Sequence, residues 1–230
     1  MRSTFAVVHG FDSAGLKRYI MTASVFSLML AATDASAAVI NVLVQDAAGQ
    51  PLADAVVYAE SDAAMPRTKG RVVEIEQKGR KFLPLVTVVQ SGTQISFPNN
   101  DTVRHHIYSF SPAKVFEQKL YSGVPQNPVL FDKAGVVVLG CNIHDQMLAY
   151  IQIVDTPYFA KTDSAGKAKI DDAVAGKYKL KVWHFNLPAG EAPPHQAIEL
   201  KGDDFSASFK LNIKPRSGGE PKTSIKTDAY

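Results

Sequence analysis

The stretch GVVVLGCNIHDQMLAYIQIV, residues 135–154, consists of two apolar runs joined by a polar loop. Both runs, GVVVLGC and LAYIQIV, are short and rich in Val and Ile, which is typical of β-strands. The loop CNIHDQM (141–147) contains the only cysteine of the chain, followed by a histidine and a methionine at intervals of three residues. The stretch therefore predicts two strands whose connection carries candidate chemistry.

The surrounding region repeats this pattern. Between residues 71 and 155, further short apolar runs are separated by Gly, Pro, Asn or Asp, among them RVVEIEQ, VTVVQ, TQISF, HIYSF and PVLF. Ile95 and Phe97 alternate with Gln94 and Ser96, as in a half-buried strand of a sandwich. Few stretches show helical periodicity, so the sequence predicts an all-β fold.

Two further groups of strands flank this region. VINVLVQ (39–45) and AVVYAE (55–60) surround the turn-rich DAAGQP, which predicts a hairpin or a short corner. After residue 156, apolar side chains alternate with lysines in KYKLKVWHF and again in SASFKLNI. This alternation predicts that one face of each strand is buried, with these residues inward: Tyr178, Leu180, Val182, Phe209 and Leu211.

Two strands alone are too few for a stable domain, because three or more with an apolar face are needed. We therefore expect residues 38–65 and 156–214 to form one split sandwich, with residues 70–155 inserted between its halves. A single continuous sandwich with an extended C-terminal sheet is the alternative.

The two ends of the sequence differ from the rest. Lys17 and Arg18 precede an uncharged run at 19–32 and then Ala35-Ser36-Ala37, the order typical of a signal peptide, here 1–37. The uncharged run is shorter than the ~20 residues of a membrane span. We expect a periplasmic mature chain without a membrane span, and a disordered polar tail at 215–230.

Charge and cysteine content narrow the function classes. The net charge is +3, the basic residues are spread out, and no nucleic-acid motif is present, so no nucleic-acid partner is expected. Exported proteins normally pair their cysteines, so the lone Cys141 is inert, reactive or a metal ligand.

The residues of the loop form a soft ligand set. Cys141, His144 and Met147 disfavour hard cations and favour copper, whereas zinc prefers more thiolates or imidazoles. A blue-copper site uses one Cys, two His and a weak axial Met, so a second histidine must come from elsewhere. His105 and His106 stand at the start of a predicted strand, where only one of two neighbours faces inward.

Catalysis by a nucleophilic Cys141, activated by His144 or His105, is the alternative chemistry. No signature of a thiol enzyme surrounds Cys141, and Met147 would have no role in one. We therefore expect the protein not to be an enzyme. His184 and His195 lie outside the predicted site, and we expect them to be surface or packing residues, with Trp183 in a core.

These spacings resemble those of plastocyanins and amicyanins, which are cupredoxins. Asn99 and Asn100 stand shortly before His105, Gly135 stands six residues before Cys141, and Cys-x-x-His-x-x-Met closes the pattern. The region from about 71 to 155 resembles a cupredoxin domain, a Greek-key β-sandwich or barrel. More narrowly, it resembles the bacterial proteins labelled methylamine utilization protein.

The resemblance implies one type 1 copper ion and one-electron transfer. Its ligands would be these four residues: His105, Cys141, His144 and Met147. His106 stands where the family usually has Asn, and the spacing from Asn100 favours His105 over His106 as the ligand. The resemblance also implies that Asn100 ties the ligand loops together, with His106 as a neighbouring support.

The partner expected from the resemblance is a periplasmic dehydrogenase or a c-type cytochrome. It would dock over Ile143, Leu148 and Arg104, near His144, on a surface also rimmed by Lys114 and Lys119. Copper carriage, and a degenerate cupredoxin that only binds a partner, are the alternative functions.

The flanking segments have a resemblance of their own. GQPLADAVVYAE and TDSAGKAKIDDAVAGKYKLKV resemble the carboxypeptidase regulatory-like, transthyretin-type sandwich, which implies a structural or partner-docking module.

Overall fold

The regular secondary structure of the described residues consists of strands. The computed structural model describes residues 37–63, 65–66, 70–125, 127–188 and 190–213. Within these ranges every regular element is a strand, and no helix there has the length and apolar character needed to cross a membrane. The predicted all-β fold is confirmed. The predicted signal peptide, Ala37 apart, and the predicted tail at 215–230 lie outside the described residues.

Residues 72–154 form two main sheets around one core, and we call this body the central sandwich. Its larger sheet has the order β6 (Val86–Gln90), β12 (Leu148–Val154), β11 (Gly135–Cys141), β8 (His105–Ser111) and β9 (Lys114–Tyr121). Its smaller sheet has the order β10 (Val129–Phe131), β7 (Thr93–Ser96) and β3 (Val72–Glu74). A short pair, β4 (Glu76–Gln77) and β5 (Phe82–Leu83), completes it.

The core of the central sandwich follows from the alternation in its strands. Ile95 and Phe97 are fully buried, as predicted, and they pack in one cluster with Ile107, Leu139 and Ile151 from the larger sheet. Each such side chain contributes about 1.5–3 kcal/mol when it leaves water.

The strands on either side of this region form the flanking sandwich. One sheet has the order β14 (Lys167–Ala173), β1 (Ala38–Asp46) and β17 (Phe205–Leu211). The other has the order β13 (Phe159–Lys161), β2 (Val56–Glu60), β15 (Gly176–Trp183) and β16 (His195–Leu200). All five side chains predicted to face inward in the later strands lie in its core: Tyr178, Leu180, Val182, Phe209 and Leu211.

The connection between β1 and β2 is a corner rather than a hairpin. The turn after β1 closes on β1 itself, because Gln45 bridges to Pro51 and the N–H of Leu52 donates to Val44. β2 then joins the opposite sheet. Inward side chains of both strands thereby enter one core from opposite sheets.

The flanking sandwich covers part of the outer face of the five-stranded sheet. Tyr150 stacks on Phe185 with ring centroids 5.1 Å apart, and it lies 6.2 Å from the ring of Trp183. Lys161 pairs with Asp54 at 2.7 Å and donates to the carbonyl of Val86 at 3.1 Å. All described residues belong to one compact unit, so the division into two domains stays a prediction.

Strand pairing brings the candidate ligands to one end of the central sandwich. β11 and β12 are antiparallel, and Gly140 opposes Leu148, so residues 141–147 form their connection. β8 pairs with β11 through Ile107 and Cys141, which places His105 beside that connection. A register shift in β8 follows His105, and such bulges re-aim side chains.

Candidate metal centre

Three of the four predicted ligands meet at this end. Sγ of Cys141 lies 3.8 Å from Nδ1 of His105 and 3.8 Å from Nδ1 of His144. The two imidazole rings have centroids 5.0 Å apart and an interplanar angle of 64°. One ligand atom from each of the three residues lies within 4.8 Å of the others.

A metal ion fits between these three atoms. Bonds of about 2.3 Å to sulfur and about 2.0 Å to nitrogen, as found at zinc, place S and N about 3.7 Å apart at trigonal angles. Both sulfur–nitrogen separations in this site are 3.8 Å. One thiol and two imidazoles suit a transition metal such as copper or zinc rather than calcium or magnesium.

The three ligands differ in exposure. Cys141 is 3% exposed and His105 is fully buried, whereas His144 is half-buried. Water is therefore kept from two of the ligand atoms, and His144 is the one nearest solvent.

Met147 is buried beside this group. It packs in the same apolar cluster as Cys141, and its N–H donates to the carbonyl of His144 at 2.9 Å, which closes the loop tightly. Its role as an axial ligand stays a prediction.

The neighbouring histidines 105 and 106 point in opposite directions. His105 is buried against Cys141, whereas His106 is half-buried with Nε2 2.7 Å from a carboxylate oxygen of Glu117. This is the strand alternation expected from the sequence, and it separates the candidate ligand from the histidine that forms a surface ion pair.

Asp101, which the sequence analysis missed, holds His105 in place. Oδ2 of Asp101 lies 2.7 Å from Nε2 of His105, so Nε2 carries the proton and Nδ1 is left with a lone pair facing Cys141. A carboxylate on the far nitrogen of a metal-binding histidine fixes ring orientation and tautomer. The signal was present in the sequence as an Asp four residues before His105.

A tight turn between β4 and β5 fixes the position of Asp101. The N–H of Gly79 donates to Oδ1 of Asp101 at 2.7 Å, and the N–H of Arg80 donates to Oδ2 at 2.8 Å. Gly79 and Arg80 have φ of 59° and 55°, as in the two-residue hairpin turns that need two left-handed residues. Three elements thus form a chain from the turn to the ligand: turn, carboxylate, imidazole.

The protonation states of Asp101 and His144 follow from their surroundings. Burial alone raises the pKa of Asp101, but hydrogen bonds from Arg80, His105 and Gly79 hold that pKa below its ordinary value. Burial lowers the pKa of His144, its electrostatic interactions with His105 and Arg80 lower it further, and Asp101 opposes the shift. A lowered pKa keeps the imidazole of His144 neutral, which is the form that binds metals.

Asn99 rather than Asn100 fixes the segment before His105. Asn99 is 3% exposed, and its Nδ2 donates to the carbonyls of Val103 at 3.0 Å and Tyr121 at 2.8 Å. Asn100 is exposed, and its amide donates to Glu76. The role predicted for Asn100 stays a prediction, and Asn99 is the asparagine bonded to the backbone of Val103 and Tyr121.

A half-buried tyrosine and a buried glutamine form a polar pair within the central sandwich. Nε2 of Gln77 donates to the Tyr121 hydroxyl at 2.6 Å and to the carbonyl of Phe97 at 2.9 Å. Burial raises the pKa of Tyr121, Gln77 opposes the rise, and Cys141 adds to it. Tyr121 therefore stays protonated and donates to Phe97.

Gly140 has no room for a side chain. A Cβ atom there would lie 2.7 Å from Cζ of Tyr108, whose ring covers the strand just before Cys141. Glycine at this position therefore lets Tyr108 pack over the outer face of the sheet.

The predicted docking residues lie partly where expected. Ile143 is 48% exposed, Leu148 is half-buried and Arg104 is exposed. Lys114, which was predicted at the same rim, pairs with Ser111 at the opposite end of the hairpin from His105. Its place at the rim was wrong, because the length of β8 separates the two ends.

Comparison with known proteins adds solved structures only. No family model matches the chain, and no curated protein matches it. A purple cupredoxin from Nitrosopumilus maritimus is 20% identical, with a TM-score of 0.32, covering 35% of this chain and 98% of its own.

A plastocyanin and an amicyanin are similar to the same extent. A mutant plastocyanin of fern is 17% identical with a TM-score of 0.32, covering 36% of this chain and 100% of its own. Amicyanin from Paracoccus versutus is 12% identical with a TM-score of 0.32, covering 43% of this chain and 97% of its own. All three similar structures are cupredoxins, and each similarity spans less than half of this chain.

Proposed function

We propose that the protein is a type 1 copper protein that transfers single electrons through His105, Cys141, His144 and Met147. The observation that carries the proposal is the convergence of Sγ and two Nδ1 atoms, with both sulfur–nitrogen separations 3.8 Å. Two of the three ligands are buried, and no substrate pocket is needed for electron transfer.

Each residue has a distinct task. Cys141 supplies a thiolate, which binding to a metal keeps deprotonated. His105 is oriented by Asp101, and Met147 supplies a weak axial thioether. Copper bound there would supply a couple between Cu(II) and Cu(I).

Two of the four proposed ligands are held in position by the sheet rather than by the loop. His105 begins β8 and Cys141 ends β11, two strands that pair directly. Sites on strands hold their geometry better than sites on loops. Ligand positions fixed in this way favour fast one-electron transfer, because little has to move between the two oxidation states.

The proposed setting is the periplasm, reached with the signal peptide predicted at 1–37. The half-buried His144 is the proposed exit for electrons, with Ile143 and Leu148 beside it. A periplasmic dehydrogenase or a c-type cytochrome is the proposed partner. A link to methylamine utilization, and a carboxypeptidase regulatory-like role for the flanking sandwich, rest on sequence resemblance.

Copper titration tests the proposal directly. We expect Cu(II) to give the copper-free protein an intense visible absorption from thiolate-to-copper charge transfer, and Cys141→Ser to abolish it. His105→Ala should remove or strongly alter the band, whereas the matched His106→Ala should keep it. A colourless copper-loaded protein, or equal effects of the two histidine variants, contradicts the assignment. Circular dichroism of each variant checks folding.

Voltammetry separates electron transfer from copper carriage. We expect a reversible one-electron couple in the wild-type protein, and a shifted potential with retained colour in Met147→Leu, since the axial ligand tunes the potential. A protein that binds copper but stays locked as Cu(I) would instead be a carrier.

A further inference from the structure

The turn between β4 and β5 carries three cationic side chains in four residues. Its sequence is Lys78-Gly79-Arg80-Lys81, and all four residues are exposed. The backbone of the turn is occupied, because its ends pair with each other and its two central N–H groups bind Asp101. The side chains project into solvent from a fixed backbone.

This turn lies at the ligand end of the central sandwich. Asp101 alone separates the turn from His105, with contacts of 2.7 Å and 2.8 Å on one side and 2.7 Å on the other. The cations therefore stand at the end of the central sandwich where the three ligands converge.

The positive charges of the turn exceed the nearest negative ones. Lys78, Arg80 and Lys81 are three cations, against the two carboxylates of Asp101, which lies on the turn backbone, and Glu76, which accepts from Asn100. Arg104, next to His105, and Asp145, next to His144, are exposed and of opposite sign.

We propose that the 78–81 turn is the electrostatic docking element for an acidic face of the redox partner protein. This inference deepens the proposed function and rests on it. Complementary charge steers partners and raises association rates by about 10-fold or more at low salt. The backbone of this turn holds Asp101, the hydrogen-bond partner of the proposed ligand His105. A protein docked on the turn therefore lies close to the proposed electron exit.

An acidic protein fits this surface better than a membrane or a nucleic acid does. Three of the cations at this end lie in one turn, and the ligand loop carries an apolar side chain, Ile143, that is 48% exposed. Polyanions and anionic lipids are bound by wider basic faces. The sequence has 25 basic and 22 acidic residues, so no such face is implied by composition.

Small charged oxidants test the turn on the copper-loaded protein. One electron passes from the Cu(I) protein to hexacyanoferrate(III), giving hexacyanoferrate(II), with no bond broken and no proton moved. We expect Lys78→Gln/Arg80→Gln to slow this reaction about 10-fold at low salt, the lower bound of steering effects, with the difference vanishing at high salt. Oxidation by the cation tris(phenanthroline)cobalt(III) should not slow.

The matched control removes the same charge elsewhere. Lys177→Gln/Lys179→Gln neutralises two exposed lysines of β15 in the flanking sandwich. We expect this pair to leave both rates unchanged within about twofold at about 0.1 M salt, where charges beyond a Debye length of about 10 Å are screened. Equal slowing by both variant pairs would overturn the proposal in favour of net charge.

Binding by the copper-free protein gives an independent readout. We expect a decaglutamate peptide to shift the backbone amide signals around Lys78 and Arg80 in NMR, and the Lys78→Gln/Arg80→Gln variant to lose these shifts. Loss of binding to phosphatidylserine vesicles with unchanged oxidation rates would assign the turn to a membrane surface and overturn the proposal. Peptide binding without a copper band would sink the copper function and leave the turn as an acidic-protein site.

Discussion

The two sandwiches bury polar side chains for different purposes. In the flanking sandwich, the Thr162 hydroxyl donates to Leu52 at 2.7 Å and accepts from the N–H of Ala55 at 2.9 Å. Such contacts satisfy backbone groups of a corner. In the central sandwich, His105 and Cys141 are just as buried, yet their polar atoms face each other and His144. Buried polar atoms that bond to the backbone stabilise a corner of the chain. Buried polar atoms that face one another form a candidate ligand site.

The largest effect tests whether the flanking core is purely structural. Leu180 is fully buried there, and we expect Leu180→Ala to lower the free energy of unfolding by about 2–5 kcal/mol. Denaturant titration measures it, with Val174→Ala, at a 43% exposed site, as a control within about 0.5 kcal/mol. If the folded Leu180→Ala protein loses its copper band, the two regions do not act separately.

The next effect sharpens the comparison within the central sandwich. We expect Asn99→Ala to cost about 1–3 kcal/mol of stability, because two carbonyls lose their donor in a buried place. Asn100→Ala is the matched control and should cost less than about 0.5 kcal/mol, since its amide is exposed. Thermal unfolding of the copper-free proteins measures both, and equal costs would refute the assignment to Asn99.

A third change removes the carboxylate that joins the β4–β5 turn to the candidate site. We expect Asp101→Ala to weaken copper binding about 10- to 100-fold, because His105 loses the carboxylate that orients it. Asp145→Ala removes an exposed carboxylate from the ligand loop and should leave the affinity nearly unchanged. Competition with a chelator gives both affinities, and a greater loss in Asp145→Ala would contradict the role of Asp101.

The smallest effect is a pH dependence that belongs to the flanking sandwich. Burial lowers the pKa of His184, although Ala53 and Asp54 partly oppose the shift. Below an ordinary histidine pKa of about 6.5, the unfolded chain therefore binds more protons than the folded one, and stability falls as the pH drops.

Comparison of His184→Gln with His195→Gln isolates the contribution of His184 to this pH dependence of stability. The slope of unfolding free energy against pH below about 6.5 should flatten in His184→Gln. It should persist in His195→Gln, because His195 is exposed. An unchanged slope in both would place the titration elsewhere.

The sequence predicted what depends on local pattern. Alternation placed Ile95, Phe97, Tyr178 and Leu180 in cores, since the side-chain period of a strand is a local property. It left the corner between β1 and β2 undecided, because sheet membership depends on strands more than 100 residues later, such as β15.

The candidate site was likewise predictable only where it depends on residue type and local spacing. Cys141, His144 and the pair of histidines stood out by residue type and spacing. His105, Cys141 and His144 converge, whereas His106 does not. Asp101 was missed because spacing alone does not show that a residue four positions before His105 contacts its ring, and because the turn that fixes Asp101 lies 22 residues earlier in the chain. Lys114 was misplaced because sequence proximity says little about which end of a strand a residue occupies.

The parallel pairing of β1 with β17 sets an order of assembly. Ile40 lies opposite Phe205, so the sheet of the flanking sandwich joins strands from before and after the central sandwich. Every strand of the central sandwich lies within residues 72–154, and its contacts can form while later residues are still being made. Distant contacts form slowly because the intervening chain must first be closed into a loop. We expect the central sandwich to fold first during synthesis, leaving β1 an unpaired strand until β14, and after it β17, has been made.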